Sequence, residues 1–300
     1  MYAAIDIGSN SLRMLLGDVR DKIVLPYHYY REITRLAGNC SVQTGLDEST
    51  LEKTLTTLKS FKKVISTQDV SLIRAVGTAA LRNAKNRQLL IDAVFTTTGL
   101  TIEVIDGEEE ALLTTLGVLS VIDPLPAAAI VVDIGGGSTE LVCIVDGQIL
   151  LQKSYPLGVV RLCEDFFSVA QRQQKIDTTV LQFVETLKLH GLANNKYHLI
   201  GTAGTITTLA AIHLQLKEYN SSLINNHELS VGWLSELQLK LECIPVAERE
   251  NLIGMEEGRG DLILPGLQII LTLMKQFQPP TLKVADSGLL EGIMLRLTGS

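Results

Sequence analysis

Three hundred residues exceed the size that one hydrophobic core usually serves, so two domains are expected. Hydrophobic residues make up 46% of the chain and charged ones 20%, an ordinary globular composition that excludes extensive disorder. The net charge of −7 argues against a general nucleic-acid binder, although an acidic protein can still hold a locally positive cleft. Cys40, Cys143, Cys163 and Cys243 stand far apart and form no CxxC pair, so reduced, buried thiols are expected rather than disulfides or zinc. No charged-then-apolar leader opens the sequence. The apolar run 262–274, interrupted by Pro265, Gly266 and Gln268, is too short to span a bilayer. A soluble, cytoplasmic protein without membrane or nucleic-acid partners is expected.

In chain order, Ala4-Ile5-Asp6-Ile7 reads as a strand that runs through Gly8-Ser9-Asn10-Ser11 into a second apolar strand at 14–19. Ser49-Thr50-Leu51-Glu52 has the pattern of a capping box, and Leu51, Leu55, Leu58, Phe61 and Ile65 mark one face of the helix it opens. A buried strand follows at 70–76, then a helix over 79–95, a short strand at 101–105 and a helix starting near Glu109. Asp123-Pro124-Leu125-Pro126 forbids continuous helix and marks the clearest boundary. The plan then restarts with a strand at 128–133, a Gly-rich turn, and strands at 141–145 and 148–155. An apolar strand near 197–200 runs into Gly201-Thr202-Ala203-Gly204-Thr205, and the chain closes with a strand at 282–285 and a helix at 289–297. This order predicts an α/β protein with mixed sheets in both halves. The domains are expected at 1–124, joined by the C-terminal helix at about 287–300, and at 125–286.

The opening segment returns, modified, as Val132-Asp133-Ile134-Gly135-Gly136-Gly137-Ser138-Thr139-Glu140. Turns rich in Gly and Ser aim backbone N–H groups together and can cradle phosphate oxygens. Gly8, Ser9, Asn10 and Ser11 form one candidate cradle, and Gly135, Gly136, Gly137 and Ser138 a second. Either copy alone could be a plain hairpin turn; two copies, each with a strand-terminal acid, point to an oligophosphate. Gly204 and Thr205 sit where a strand meets a helix, a third candidate anion site. Carboxylates beside such loops repel phosphate unless a divalent cation intervenes, so Asp6, Asp133 and Glu140 are candidate metal ligands. Glu108-Glu109-Glu110 reads either as first-turn acids favoured by the helix dipole or as the source of a water-activating carboxylate. Guanidinium matches phosphate bidentately, and Arg82 is the first candidate ahead of Arg31, Arg35 and Arg259. The five histidines show no metal-ligand spacing.

These segments resemble the Ppx/GppA family of exopolyphosphatases and guanosine pentaphosphate phosphohydrolases, within the sugar kinase, heat-shock 70 and actin superfamily. Asp6-Ile7-Gly8-Ser9-Asn10-Ser11 is similar to the family's first phosphate loop, and Asp133-Ile134-Gly135-Gly136-Gly137-Ser138-Thr139-Glu140 to its second. Gly77-Thr78-Ala79-Ala80-Leu81-Arg82-Asn83-Ala84 resembles the arginine-bearing segment. Val104-Ile105-Asp106-Gly107-Glu108-Glu109-Glu110-Ala111 resembles the motif whose last glutamate is the proposed catalytic base, here Glu110. Gly201-Thr202-Ala203-Gly204-Thr205, Arg259-Gly260-Asp261 and the closing 284–292 segment also match. Asp106 replaces the usual Ser, Ala37 a common Gly, and Ser287 a frequent Arg, and only the two-domain catalytic core is expected, without the helical domains into which longer members continue.

The resemblance implies two ribonuclease-H-like (actin-like ATPase) domains with an interdomain cleft. It further implies Mg²⁺ or another divalent cation as cofactor and the possibility of a homodimer. The expected activity is release of terminal orthophosphate from inorganic polyphosphate. Hydrolysis of guanosine pentaphosphate, non-hydrolytic alarmone binding and small-molecule phosphorylation are the alternatives.

Overall fold

The computed structural model describes residues 1–36, 45–166 and 168–299, and the backbone of 40–41. Close contacts divide the chain into two compact units, Met1–Ser120 with Gly288–Ser300, and Val121–Ser287.

Unit 1 opens with a meander, β1 (Tyr2–Ile7), β2 (Ser11–Arg20) and β3 (Ile23–Ile33). The short pair β4 (Cys40–Ser41) and β5 (Gly45–Leu46) precedes α1 (Glu48–Ser66). Next come β6 (Leu72–Gly77), α2 (Ala79–Asn83), α3 (Arg87–Thr98), β7 (Ile102–Val104) and α4 (Gly107–Leu119). The sheet order is β3-β2-β1-β6-β7, with β6 and β7 parallel to β1.

Unit 2 repeats this plan. The meander β8 (Ala128–Ile134), β9 (Thr139–Val145) and β10 (Gln148–Tyr155) leads to α5 (Val159–Asp165) and α6 (Val169–Leu189). Then follow β11 (His198–Thr202), α7 (Ala203–His213), α8 (Ser221–Ile224), β12 (Glu228–Ser230) and α9 (Val231–Glu242). The unit ends with α10 (Val246–Arg249), α11 (Ile263–Phe277) and β13 (Thr281–Val284), and α12 (Leu289–Leu297) returns to unit 1. The order β10-β9-β8-β11-β13-β12 matches that of unit 1, plus one antiparallel edge strand.

Alternation in β1 assigns its two faces. Ala3, Ile5 and Ile7 join one core with Leu58, Phe61 and Ile65 of α1, while Ala4 joins Leu113 of α4 and Ile293 of α12 in the other. Asp6 shares the parity of Ala4 and therefore belongs to the α4/α12 face. Helices α4 and α12 pack closely because glycines line the contact: a Cβ at Gly292 would lie 1.7 Å from Leu113 O, and one at Gly117 would lie 2.0 Å from Gly288 O.

Two local expectations need correction. The cap of α1 is Asp47, whose Oδ1 accepts from Thr50 N at 2.7 Å, while the Ser49 hydroxyl donates to that same oxygen. The single helix over 79–95 is two helices, α2 and α3. Ala84 turns extended, and the Asn86 side chain pairs both ways with the Leu46 backbone, at 2.8 Å each. Cysteine burial is also mixed: Cys143 is buried, with its thiol pKa pushed up by burial, Cys163 half-buried and Cys243 exposed. Among the described residues no helix is long and apolar enough to cross a membrane.

The departure at Asp106 has a local explanation. Its carboxylate caps α4, with Oδ1 accepting from Glu108 N at 3.0 Å and Glu109 N at 2.8 Å. Serine and aspartate are interchangeable in this duty, so the start of the helix that carries Glu110 is kept. Asp106→Ala is expected to destabilise the protein by about 1 kcal/mol in denaturant titrations, and Asp106→Ser by far less. Gly292→Ala, which drives a methyl group into the α4 backbone, is expected to cost ~1–3 kcal/mol and to lower the thermal midpoint.

Candidate active site

Each unit places its strand-terminal acid, Asp6 or Asp133, near the C-terminal end of its first strand, and register gives each acid a cross-strand neighbour. In unit 1 the residues in line across β3, β2, β1 and β6 are Arg31, Arg13, Asp6 and Val76. In unit 2 the equivalent line across β10, β9, β8 and β11 is Ser154, Glu140, Asp133 and Thr202. The two halves thus share a scaffold and differ in charge. Unit 1 sets two guanidiniums against one carboxylate; unit 2 sets two carboxylates side by side.

The turns are built alike. Gly8 N donates to Ser11 O at 3.1 Å, and Gly135 N donates to Ser138 O at 2.9 Å. Ser9, Asn10 and Ser11 are 5%, 7% and 7% exposed. Ser9 Oγ and both polar atoms of the Asn10 amide are buried without a hydrogen-bond partner among the described residues. Such groups cost free energy unless something bonds to them, which is the property expected of an anion cradle. The second turn is braced from behind: Val159 N and Val160 N of α5 each donate at 3.0 Å, to Gly135 O and Gly136 O. A Cβ at Gly158 would lie 2.1 Å from Gly136 O, so only glycine fits there. Ser138 and Glu140 are buried, and Glu140 Oε1 accepts from the Ser154 hydroxyl at 2.6 Å.

Asp6 is 2% exposed, and its Oδ2 accepts from Arg13 Nε at 2.8 Å and Nη2 at 2.5 Å. Its charge is therefore met by a guanidinium within the unit. Sequence reasoning missed Arg13, whose only signal is its place three residues into the strand after the turn.

The three acids of α4 have separate fates. Glu108 is exposed; Glu109 pairs with Arg74 at 2.6 Å, beside the Arg74–Glu103 contact at 2.9 Å; Glu110 is buried at 7% exposure. Arg82 Nη1 donates at 3.0 Å to both Glu110 Oε2 and Ile105 O. The arginine expected to meet phosphate thus holds the glutamate expected to act as base.

At the third loop, Ala203 takes a left-handed φ of 67°, strained for a residue with a Cβ, and Thr205 Oγ1 is buried without a hydrogen-bond partner among the described residues. The Arg259 guanidinium rests directly on Gly204, since a Cβ there would lie 1.5 Å from Arg259 Nη2. Arg259 Nε donates to Glu256, and Gly258 N and Gly260 N both donate to the Glu250 carboxylate, at 3.2 and 2.7 Å, fixing the segment that carries the arginine. Ser287 is buried next to this region, its carbonyl accepting from Thr202 Oγ1 at 3.0 Å. Ala37 lies outside the described residues. Arg31 is half-buried and Arg35 exposed.

Among the described residues no group of three or more His, Cys, Asp or Glu is arranged to hold a metal ion. Two opposed carboxylates, one of them buried, still fit a magnesium ion, which takes one or two carboxylates and completes its shell with phosphate oxygens and water.

Comparison with known proteins agrees with this architecture. The sequence matches the model of the Ppx/GppA phosphatase family over residues 5–300. A bifunctional 3-dehydroquinate synthase/phosphatase of Fusobacterium nucleatum subsp. nucleatum is 29% identical over 98% of this chain, which spans only 46% of that protein. Exopolyphosphatase 2 of Mycobacterium tuberculosis is 28% identical, with 99% of this chain and 98% of the relative aligned. The crystal structure of the Aquifex aeolicus Ppx/GppA family member superposes with a TM-score of 0.82 at 30% identity, covering 99% of this chain and 97% of that one. With a family match over nearly its whole length and a shared fold at this level of identity, the chain belongs to the Ppx/GppA phosphatase family, hydrolases of the two-domain, actin-like ATPase fold.

Proposed function

We propose that this protein is a Mg²⁺-dependent exopolyphosphatase that releases terminal orthophosphate from inorganic polyphosphate. The observation that carries the reading is the unequal pair of duplicated hairpins, in which Asp6 faces Arg13 and Asp133 faces Glu140. A phosphoanhydride chain needs both donors for its oxygens and a cation to offset its charge. The likeness to a mycobacterial exopolyphosphatase over nearly its full length supports this choice of substrate class.

In this reading the turns Gly8–Ser11 and Gly135–Ser138 donate to phosphate oxygens through backbone N–H and hydroxyl groups, with Gly204 and Thr205 as a third contributor. Arg13, half-buried against Asp6, and Arg259, seated on Gly204, add guanidiniums to the same task. Asp133 and Glu140 hold the divalent cation, directly or through water, with Ser154 keeping Glu140 in place. Mg²⁺, when bound, offsets charge on the phosphoryl oxygens. Glu110 accepts a proton from water as the water oxygen bonds to the terminal phosphorus and the bridging P–O bond breaks. The leaving chain keeps that electron pair. Arg82 donates to Glu110 Oε2 and fixes its orientation, a positioning role rather than contact with phosphate.

Glu110→Gln, which keeps shape and removes basicity, is expected to lower kcat by about 10²–10⁴-fold with KM nearly unchanged. Phosphate release at the wild-type rate by a folded variant would rule out Glu110 as the base. Glu140→Gln is expected to raise the Mg²⁺ concentration needed for half-maximal rate. Both measurements should use long-chain polyphosphate and guanosine pentaphosphate in parallel, and faster release from the guanosine compound would replace the proposed substrate with the nucleotide.

A further inference from the structure

A second cluster of ligating side chains lies in unit 2, in elements apart from the glycine turns and the acid pair. His213 is the last residue of α7, and His227 precedes β12. His213 Nδ1 and His227 Nε2 face each other at 2.8 Å, with ring centroids 4.9 Å apart and planes inclined by 47°. The edge-on contact of Trp233 from α9, at 4.5 Å and 86°, limits the rotation of the His213 ring. The His227 backbone is pinned on both sides: its N–H donates to Ile224 O at 3.0 Å, and its carbonyl accepts from Val284 N at 2.8 Å. Two imidazoles on separate elements are thus held nitrogen to nitrogen at a partly exposed position, His213 being exposed and His227 half-buried.

We propose that His213 and His227 form a bidentate site for a borderline divalent transition metal, of which Zn²⁺ is the representative. With Zn–N bonds of about 2.0–2.1 Å and a tetrahedral angle, two ligating nitrogens stand roughly 3.3 Å apart. The pair therefore has to open by about half an ångström, within reach of the exposed His213 side chain. No proton need leave. In the neutral pair one facing nitrogen carries hydrogen and donates to the other. Moving that hydrogen to the far nitrogen of the same ring turns both facing nitrogens into lone-pair donors. Burial and the neighbouring His213 hold the His227 pKa below the ordinary imidazole range, which favours the neutral, ligating form. The charged group beside His227 is Glu228, whose carboxylate accepts from Thr281 Oγ1 at 2.8 Å. Water completes the metal's shell. Imidazole selects zinc, nickel and copper over magnesium, so this site is chemically distinct from the Asp133–Glu140 pair.

The test is calorimetric titration of the chelator-stripped full chain with Zn²⁺ in excess Mg²⁺, which keeps oxygen-ligand sites from contributing. Thermal midpoints are measured alongside. One Zn²⁺ per chain is expected to bind and raise the midpoint. His213→Ala and His227→Ala are each expected to weaken binding at least about tenfold while leaving the metal-free midpoint close to wild type. If either variant fails to fold, histidine ring resonances of the wild type replace it, and those of His213 and His227 are expected to shift as Zn²⁺ is added. Absence of binding, an isotherm unchanged by both substitutions, or ring resonances that titrate with protons and ignore Zn²⁺ would overturn the site.

Discussion

A carboxylate buried near the end of a central strand must be met by positive charge or by a proton, because stripping water from a lone carboxylate costs several kcal/mol. Asp6, 2% exposed, carries this burden in unit 1 and meets it locally, with Arg13 directly across the strand pair. In unit 2 the residue across from Asp133 is a second acid, Glu140, also 2% exposed. Like charges directly opposite on an antiparallel ladder repel. The Ser154 hydroxyl that donates to Glu140 supplies a dipole and no net charge. The same scaffold therefore yields a half whose acid faces an arginine and a half whose acid faces a second acid, the position proposed above for a cation. Every role assigned to the glycine turns follows from which half they belong to.

The turns depend on their surroundings as much as on their glycines. Gly135, Gly136 and Gly137 would be an ordinary flexible connection without α5, whose first N–H groups bond the turn's carbonyls and fix which way its remaining groups face. Gly158 permits that approach. In unit 1 the bracing comes from Thr34 N and Arg35 N, which donate to Asn10 O at 3.1 and 2.8 Å. A cradle that is rigid before its ligand arrives loses less entropy on binding. The buried amide of Asn10, without a partner among the described residues, is what such rigidity leaves behind.

Much of this was legible in the sequence because it is local. An acid at a strand end, a Gly/Ser turn and a following strand are contiguous, and the duplication made their order informative. The strand positions and the first-turn location of Glu110 are contiguous in the same way. What escaped depends on register and on distant packing. Arg13 becomes the partner of Asp6 only when the hairpin pairs as it does. Arg82 meets Glu110 across 28 residues, and Arg259 reaches Gly204 across a larger interval. The break between α2 and α3 is set by Asn86 bonding to Leu46, which no helical periodicity encodes. The cap of α1 was misplaced by two residues because Asp47 and Ser49 both qualify, and only the geometry selects the aspartate.

Charge shows most clearly why local arrangement outweighs totals. A chain with a net charge of −7 looks ill suited to a polyanion. Yet attraction between unit charges about 4 Å apart at a protein surface is ~4 kcal/mol, and charges beyond a Debye length of about 8–10 Å are largely screened. A terminal phosphate therefore responds to the groups lining its site and hardly at all to carboxylates elsewhere on the surface. The acid pair extends this point. In the function proposed above, Asp133 and Glu140 would hold a divalent cation and so turn a pair of negative charges into the means of holding positive charge beside the substrate. A permanently cationic pair at those positions would bind phosphate in every state, product included. A carboxylate pair that recruits its cation would instead make the positive charge conditional on the ion.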